Sequence, residues 1–454
     1  MRYFIWFILL LFLAAGCASK KYTKKAAKFE EAGLYNDAAE YYYEAVKRKD
    51  SNVDAKLGLR KNGQLKLDNT LAGFLAYYKQ GDYKQTVYEY LNAESYYEKV
   101  KSVGVELSFP EQYKTYYEEA KSDYLSKKYI QGIEMLDRED FSAALAIFTE
   151  IKNVDENYKD VGEKYIIARY EPKYREAIEL IESGQYRKAY YTFDYVIEWA
   201  GDYKQAKIYK EQAREKATFA VLVTDISYTN RQFSAGATYI TSKIKEGLGK
   251  LDNPFLKLID PQSLDVAIYT PSGKLDMQAA NLAGIHAVLS AQLLNYATSE
   301  QKLKKTPKKG YLKEVIKIKN DAGVETEKVT YHKTEYMEYQ AKNEARLSLN
   351  YTMVSTSGSE VLLTGNFNRN KEDEIHYAIF EGEKDRLVPG NWKYKDSKSP
   401  EDIVKDEKKD VRELRQLLKA KQRITPAANL LGELVNQAVG TITGSVDNFN
   451  PEKE

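Results

Sequence analysis

Few residues in this chain could do covalent chemistry. Cys17 is the only cysteine among 454 residues. A lone thiol excludes internal disulfides, zinc clusters and thiol relays. A thiolate is nonetheless the best side-chain nucleophile for taking up a lipid. The three histidines, His286, His332 and His376, lie far apart in the chain, and none has a partner at metal-ligand spacing. His286 opens an apolar stretch and reads as a structural histidine; His332 sits in a charged strand and reads as exposed. There is no Walker A run, no G-x-G-x-x-G and no G-x-S-x-G elbow. Asp225 and Asp260 end apolar runs and read better as caps or turn residues than as general acids. The sequence thus predicts no enzyme, no cofactor and no metal.

The residues in front of Cys17 suit its modification. Met1 and Arg2 give a short positive start, and residues 3–15 form an apolar run. That run has the length of a signal peptide and is too short for a spanning helix, which needs about 20 apolar residues. Leu13, Ala14, Ala15 and Gly16 lead into Cys17. The stretch resembles the bacterial lipobox, with Leu13 one place further upstream than the commonest pattern. The resemblance implies a lipoprotein signal peptide over 1–16, recognised through Leu13, Ala14, Ala15 and Gly16, with cleavage before Cys17 and lipidation of its sulfur. By the same analogy, Ala18 in place of an acidic residue implies the outer membrane, and Lys20 and Lys21 imply a periplasm-facing anchor. After residue 16 no apolar run is long enough to span a bilayer as a helix.

The remainder is long enough for two or three domains. The whole chain's balance of 69 basic against 67 acidic residues gives +2, so no global field draws it to nucleic acid. Tyrosine is abundant at 39 and proline scarce at 10, a mixture that suits packed helices with large half-polar contact faces. From about Tyr22 to Ala217 the pattern is helical. A unit recurs: a small or acidic turn residue, an aromatic, then a helix with alanine near its start. It appears at Gly33, Tyr35 and Ala38, at Gly81 and Tyr83, at Phe141 and Ala144, and at Gly184, Tyr186 and Ala189. Alanine lets two helices approach, and the aromatic is expected to plug the gap at the turn. The unit resembles the tetratricopeptide repeat, which implies a helical solenoid whose concave face binds another protein. Gly33, Gly81 and Gly184 are not spaced by multiples of about 34 residues, so the repeats read as degenerate, with extra helices between them. Most tyrosines at helical spacing read as packing. Runs such as Tyr41 to Tyr43 and Tyr190-Tyr191 must leave some rings partly exposed, which suits protein interfaces.

The period changes near Lys216. Residues 219–226 read as a buried strand, 235–251 as a helix, 255–259 as a second strand, 275–283 as a short helix and 284–294 as a third strand. Residues 345–353 alternate apolar and polar, 361–367 follow, and Ser357-Gly358 marks the turn of a hairpin. Charged stretches at 299–340 and 393–410 read as solvated excursions. A last helix is predicted with Thr425 as N-cap and Pro426 at its first position. The order of elements, with FAVLVTDI, LIDPQSL, GIHAVLSAQL and YTMVSTSGSEVLL, resembles the curli-secretion (CsgG-like) lipoproteins and the amino-terminal α/β domain of TolB. That family implies a channel-forming oligomer, although it does not ordinarily carry a helical array in front.

The expected fold is thus a multidomain chain: a tetratricopeptide-like α-helical solenoid over 17–217, then a mixed-sheet α/β (α+β) domain over 218–445. The expected role is a lipid-anchored periplasmic scaffold or assembly factor of an envelope complex. It would bind envelope proteins through the helical repeats and the membrane through Cys17. A homo-oligomer through the α/β domain stays open, and nucleic acid is not a partner. The rivals are a subunit of a CsgG-like secretion channel and an envelope-polymer binding protein or enzyme.

Overall fold

The computed structural model describes residues 18–319 and 325–453. They form an α-helical region followed by an α/β domain built on a nine-stranded mixed sheet. The chain divides into two compact units. One comprises residues up to Glu179 together with Thr192–Lys207, and the other comprises Leu180–Tyr191 with Ile208–Glu454. The sequence reading divides the chain at 217, whereas compactness groups two helical stretches with the sheet. The reason lies in contacts of Leu180–Tyr191. The Arg187 amide donates to both carboxylate oxygens of Glu452 at 2.9 and 3.1 Å, its guanidinium donates to the Phe449 carbonyl, and the Tyr190 ring lies 5.2 Å from that of Phe255.

The helical region runs α1 (18–31), α2 (Tyr35–Arg48), α3 (Val53–Gln80), α4 (Tyr83–Lys101), α5 (Gln112–Asp137), α6 (Phe141–Val154), α7 (Val161–Glu182), α8 (Tyr186–Ala200) and α9 (Ala206–Ala217). Alanines at 38, 45, 55, 93, 120 and 144 are fully buried and let neighbouring helices close up. Two glycines take this furthest. A Cβ on Gly58 of α3 would stand 2.4 Å from the Tyr42 ring, and one on Gly132 of α5 would stand 2.7 Å from the Phe148 ring. Only glycine lets those rings lie flat on the opposing helix.

In the second unit the strands are β1 (Phe219–Val223), β2 (Ser227–Tyr228), β3 (Leu256–Ile259), β4 (Ala287–Glu300), β5 (Lys304–Lys319), β6 (Glu325–Ser355), β7 (Val361–Ile379), β8 (Leu387–Asn391) and β9 (Ile403–Val404). Their order is β3-β1-β4-β6-β5-β8-β9, with β2 beside β4 and β7 beside β6. β1 runs parallel to β3 and β4, and the other long ladders are antiparallel. The helices are α10 (Ser234–Gly249), α11 (Met277–Leu282), α12 (Lys408–Lys419) and α13 (Ala427–Asp447). β1 is covered on both faces, which is why its sequence is continuously apolar. Val221 and Val223 pack with α10 and α13, while Leu222 packs with Ile268, Ala280 and Ile285 on the other side.

Two expectations need correction. The charged stretch 299–340 is not a loose excursion but most of two long strands, β5 and β6, paired from Lys304↔Gln340 to Lys319↔Glu325. The stretch 393–410 packs back on them. Lys333 reaches Asp402 at 2.7 Å, and Asp406 takes Lys313 at 2.6 Å and the Tyr331 hydroxyl at 2.7 Å. The two charged segments neutralise each other. At α13, Thr425 is not the cap. Pro426 holds that position, the Thr425 amide donates to Asp373, and the Glu300 carboxylate accepts the Ala427 amide at 3.0 Å. A carboxylate from a neighbouring strand does what a local hydroxyl was expected to do.

Candidate functional site

The repeat-turn residues share one local geometry. In the first unit, the amide of the turn residue bonds three residues back: Gly33 to Glu30, Gly81 to Tyr78 and Glu139 to Leu136, at 2.9–3.0 Å. The next amide bonds five residues back: Leu34 to Phe29, Asp82 to Tyr77 and Asp140 to Met135. This is the Schellman closure, which needs a left-handed residue. Gly33 and Gly81 supply it at φ 73° and 74°, and Glu139 takes the same conformation at φ 59°. Gly184 and Gln185 repeat the closure in the second unit. The residue ending one helix then caps the next, with Asp82 accepting from the Gln85 amide and Asp140 from that of Ala143.

The small residue in the unit, rather than its aromatic, fills the turn. Ala38, Thr86, Ala144 and Ala189 are all fully buried. Tyr35 is 41% exposed, and Tyr83, Phe141 and Tyr186 are partly exposed beneath Lys127, Arg175 and Lys216. Thr86 escapes the sequence pattern because it replaces the alanine, whereas Glu139 is the acidic turn residue that the pattern allows.

Carboxylates strap successive helices together. Glu40 on α2 takes Lys66 of α3 at 2.6 Å and Lys99 of α4 at 2.7 Å. Glu150 on α6 takes Lys84 of α4 at 2.7 Å, and Lys128 and Tyr124 of α5 at 2.8 and 2.6 Å. Burial pushes the Glu150 carboxyl up, but its hydrogen bonds from Lys128, Lys84 and Tyr124 outweigh this and bring it down to about 2.

One open patch on the helical unit is aromatic. Tyr195 and Trp199 stand one turn apart on α8, 41% and 61% exposed. The Tyr195 ring lies 6.2 Å from that of Tyr170 on α7. Arg169, also on α7, donates to the Tyr165 hydroxyl at 2.6 Å, with its guanidinium 5.6 Å from the Tyr170 ring centre. Lys152 lies 4.5 Å over Tyr165. This is an aromatic surface edged by cations, composed of the residue types that carry binding energy at protein interfaces. Sequence reasoning passed over Trp199, although its four-residue step from Tyr195 was there to be read.

The histidines do not converge. His286 Nδ1 accepts the Ala220 amide at 2.8 Å, and its ring stacks on Phe219. His332 is exposed and 3.1 Å from Glu314, and His376 lies 3.5 Å from Glu338. Asp260 caps the turn at 261–263 through the Gln262 amide, and Asp225 is exposed in the loop after β1. Among the described residues no three His, Cys, Asp or Glu side chains come together as a metal-holding group. No described helix is long and apolar enough to cross a membrane. Cys17 and the recognition residues Leu13, Ala14, Ala15 and Gly16 lie outside the described residues.

By its architecture the chain is a helical-hairpin protein joined to a mixed-sheet α/β domain. In comparisons with known proteins, no family model and no curated protein matches it.

Proposed function

We propose that the protein is a lipid-anchored scaffold or assembly factor of a bacterial envelope complex, tethered through Cys17 and binding a partner protein through its helical unit. The observation that carries this reading is the exposed Tyr195–Trp199 pair beside Tyr165, Arg169 and Tyr170. Exposed tryptophan costs solubility and contributes strongly once a partner covers it. The tetratricopeptide-like turns support the same reading, since such hairpins present extended binding faces. The secretion-channel alternative needs the apolar face of 345–353 to meet lipid. Here Ala345, Leu347, Leu349, Tyr351 and Met353 are buried in one cluster with Leu430, Leu434, Ala438 and Ile442 of α13, which favours the scaffold.

Two experiments test the two halves of the proposal. Metabolic labelling with a palmitate analogue should mark the protein and fail on Cys17→Ser, and label persisting in that variant refutes the anchor. A photo-crosslinking residue in place of Trp199 should give a discrete adduct in intact cells, while one in place of exposed Asn36 should not. Equal adducts at both sites, or survival of the adduct in Tyr195→Ala, refutes the interface.

A further inference from the structure

The first turn of α1 is buttoned to the turn between α2 and α3. Ser19 is fully buried and donates to the Ala45 carbonyl at 2.7 Å. Asn52 Nδ2 donates to the Ser19 and Thr23 hydroxyls at 2.8 and 3.0 Å, and the Arg48 guanidinium lies 4.1 Å over the Tyr22 ring. Around this knot is an open cleft of 390 Å³ lined by Lys20, Thr23, Lys24, Lys49, Ser51, Asn52, Val53 and Asp54. Lys20, Lys24 and Lys49 are exposed, and so are Lys21, Lys25 and Lys28 along α1. Among the described residues no ion pair engages Lys20, Lys24 or Lys49, although lysines elsewhere in the helical unit are repeatedly paired with carboxylates. Beside them, Val53 and Leu57 project from one face of α3 at 66% and 60% exposure, the two most open large apolar side chains on that helix.

We infer that this end of the helical unit is a membrane-contact surface that docks on anionic phospholipid, with the lysines on headgroup phosphates and Val53 and Leu57 in the interfacial layer. The inference rests on the anchored reading for where the bilayer stands. Cys17 precedes Ser19 by two residues, a reach of about 7 Å, so a lipid on Cys17 holds the bilayer against this cleft. Unpaired lysines next to unburied aliphatic side chains match an anionic interface in both charge and polarity. Asp54 in the same lining is a single opposing charge.

The test uses the chain beginning at Ala18, which lacks the lipid but holds every described cluster of buried residues, since these start at Ala26. It should sediment with vesicles containing phosphatidylglycerol and not with pure phosphatidylcholine, and added salt should release it. The triple substitution Lys20→Gln, Lys24→Gln, Lys49→Gln alters only exposed side chains. It should keep the thermal melt and weaken binding about 100-fold, at about fivefold per lysine. Val53→Ser with Leu57→Ser should weaken binding and keep the preference for anionic vesicles. Neutralising Lys304, Lys305, Lys308 and Lys309 on β5 should leave it unchanged. No binding to phosphatidylglycerol vesicles, or a triple variant that binds like the parent, overturns the inference. So does release by inorganic phosphate beyond that of sodium chloride at equal ionic strength, which would mark an ion site. Because this chain lacks Cys17, failure here is separate from failure of the palmitate-labelling test.

Discussion

Alanine in place of glycine should have opposite signs at two positions of the same helix. Gly58 and Gly73 both lie inside α3, so each substitution gains the same helix propensity, about 1 kcal/mol. Around Gly73 a Cβ would meet nothing within 4 Å. At Gly58 it would stand 2.4, 2.4 and 2.6 Å from three Tyr42 ring carbons. That ring cannot swing aside cheaply. Tyr42 is 6% exposed, and its hydroxyl donates to Glu30 at 2.8 Å, with Glu30 also held by Lys61 at 2.7 Å. Overpacking costs about 1–3 kcal/mol, and a broken Tyr42–Glu30 hydrogen bond adds about 1 kcal/mol. Gly73→Ala should therefore stabilise by about 1 kcal/mol, and Gly58→Ala should destabilise by about 1–3 kcal/mol. Urea unfolding followed by circular dichroism reads both. In the background of Tyr42→Leu the cost of Gly58→Ala should largely vanish, as a double-mutant cycle requires for residues in contact. If Gly58→Ala stabilises as much as Gly73→Ala, the close approach of α2 and α3 is not as described.

Two pH dependences follow from named groups. Glu150 titrates at about 2 when folded against 4.5 when free, so its stabilisation is present above about 4.5 and lost as pH falls towards 2. After solvent screening this is about 1–2 kcal/mol, and Glu150→Gln should be less stable than the parent at neutral pH and equal to it near the bottom of that window. Burial lowers the His286 pKa from 6.5, and its Nδ1 must stay unprotonated to accept the Ala220 amide. Its contribution is therefore full above 6.5 and lost as pH falls below it. An NMR titration of the imidazole should give a midpoint below that of free histidine, and a midpoint above 6.5 refutes the bond to Ala220.

The helical half was legible where one residue type does one job. Gly33, Gly81 and Gly184 mark left-handed turns because a Cβ is disfavoured there, and buried alanines mark close helices because nothing larger fits. The third turn is legible from its acidic residue and following aromatic, although Glu139 adopts the left-handed conformation without being glycine. The close approaches at Gly58 and Gly132 were illegible. A glycine inside a helix says that something is near, but not which ring from another helix lies there. Trp199 was missed for the reverse reason. Its helical spacing from Tyr195 looks the same whether the face is buried or bare, and only the packed neighbours decide.

In the sheet half the apolar strands announced themselves, and the charged ones did not. Read alone, 331–340 has Lys333 and Glu335 on one face and Glu338 on the other, which argues against a lipid-facing strand. Register supplies the rest. Lys319 lies opposite Glu325, Lys317 opposite Glu327 and Lys309 opposite Glu335, so a basic strand meets an acidic one. Opposite charges directly across a ladder stabilise it by about 0.2–1 kcal/mol each, while like charges oppose it. Lys333, 12% exposed, is then neutralised by Asp402 and by the carbonyls of Tyr394 and Ser397 from the second charged stretch. Each charged segment looks like solvent-exposed chain until its partner is known, because its stability as a strand belongs to the pair. The readable signal was the complement itself: one segment rich in lysine and the next rich in glutamate.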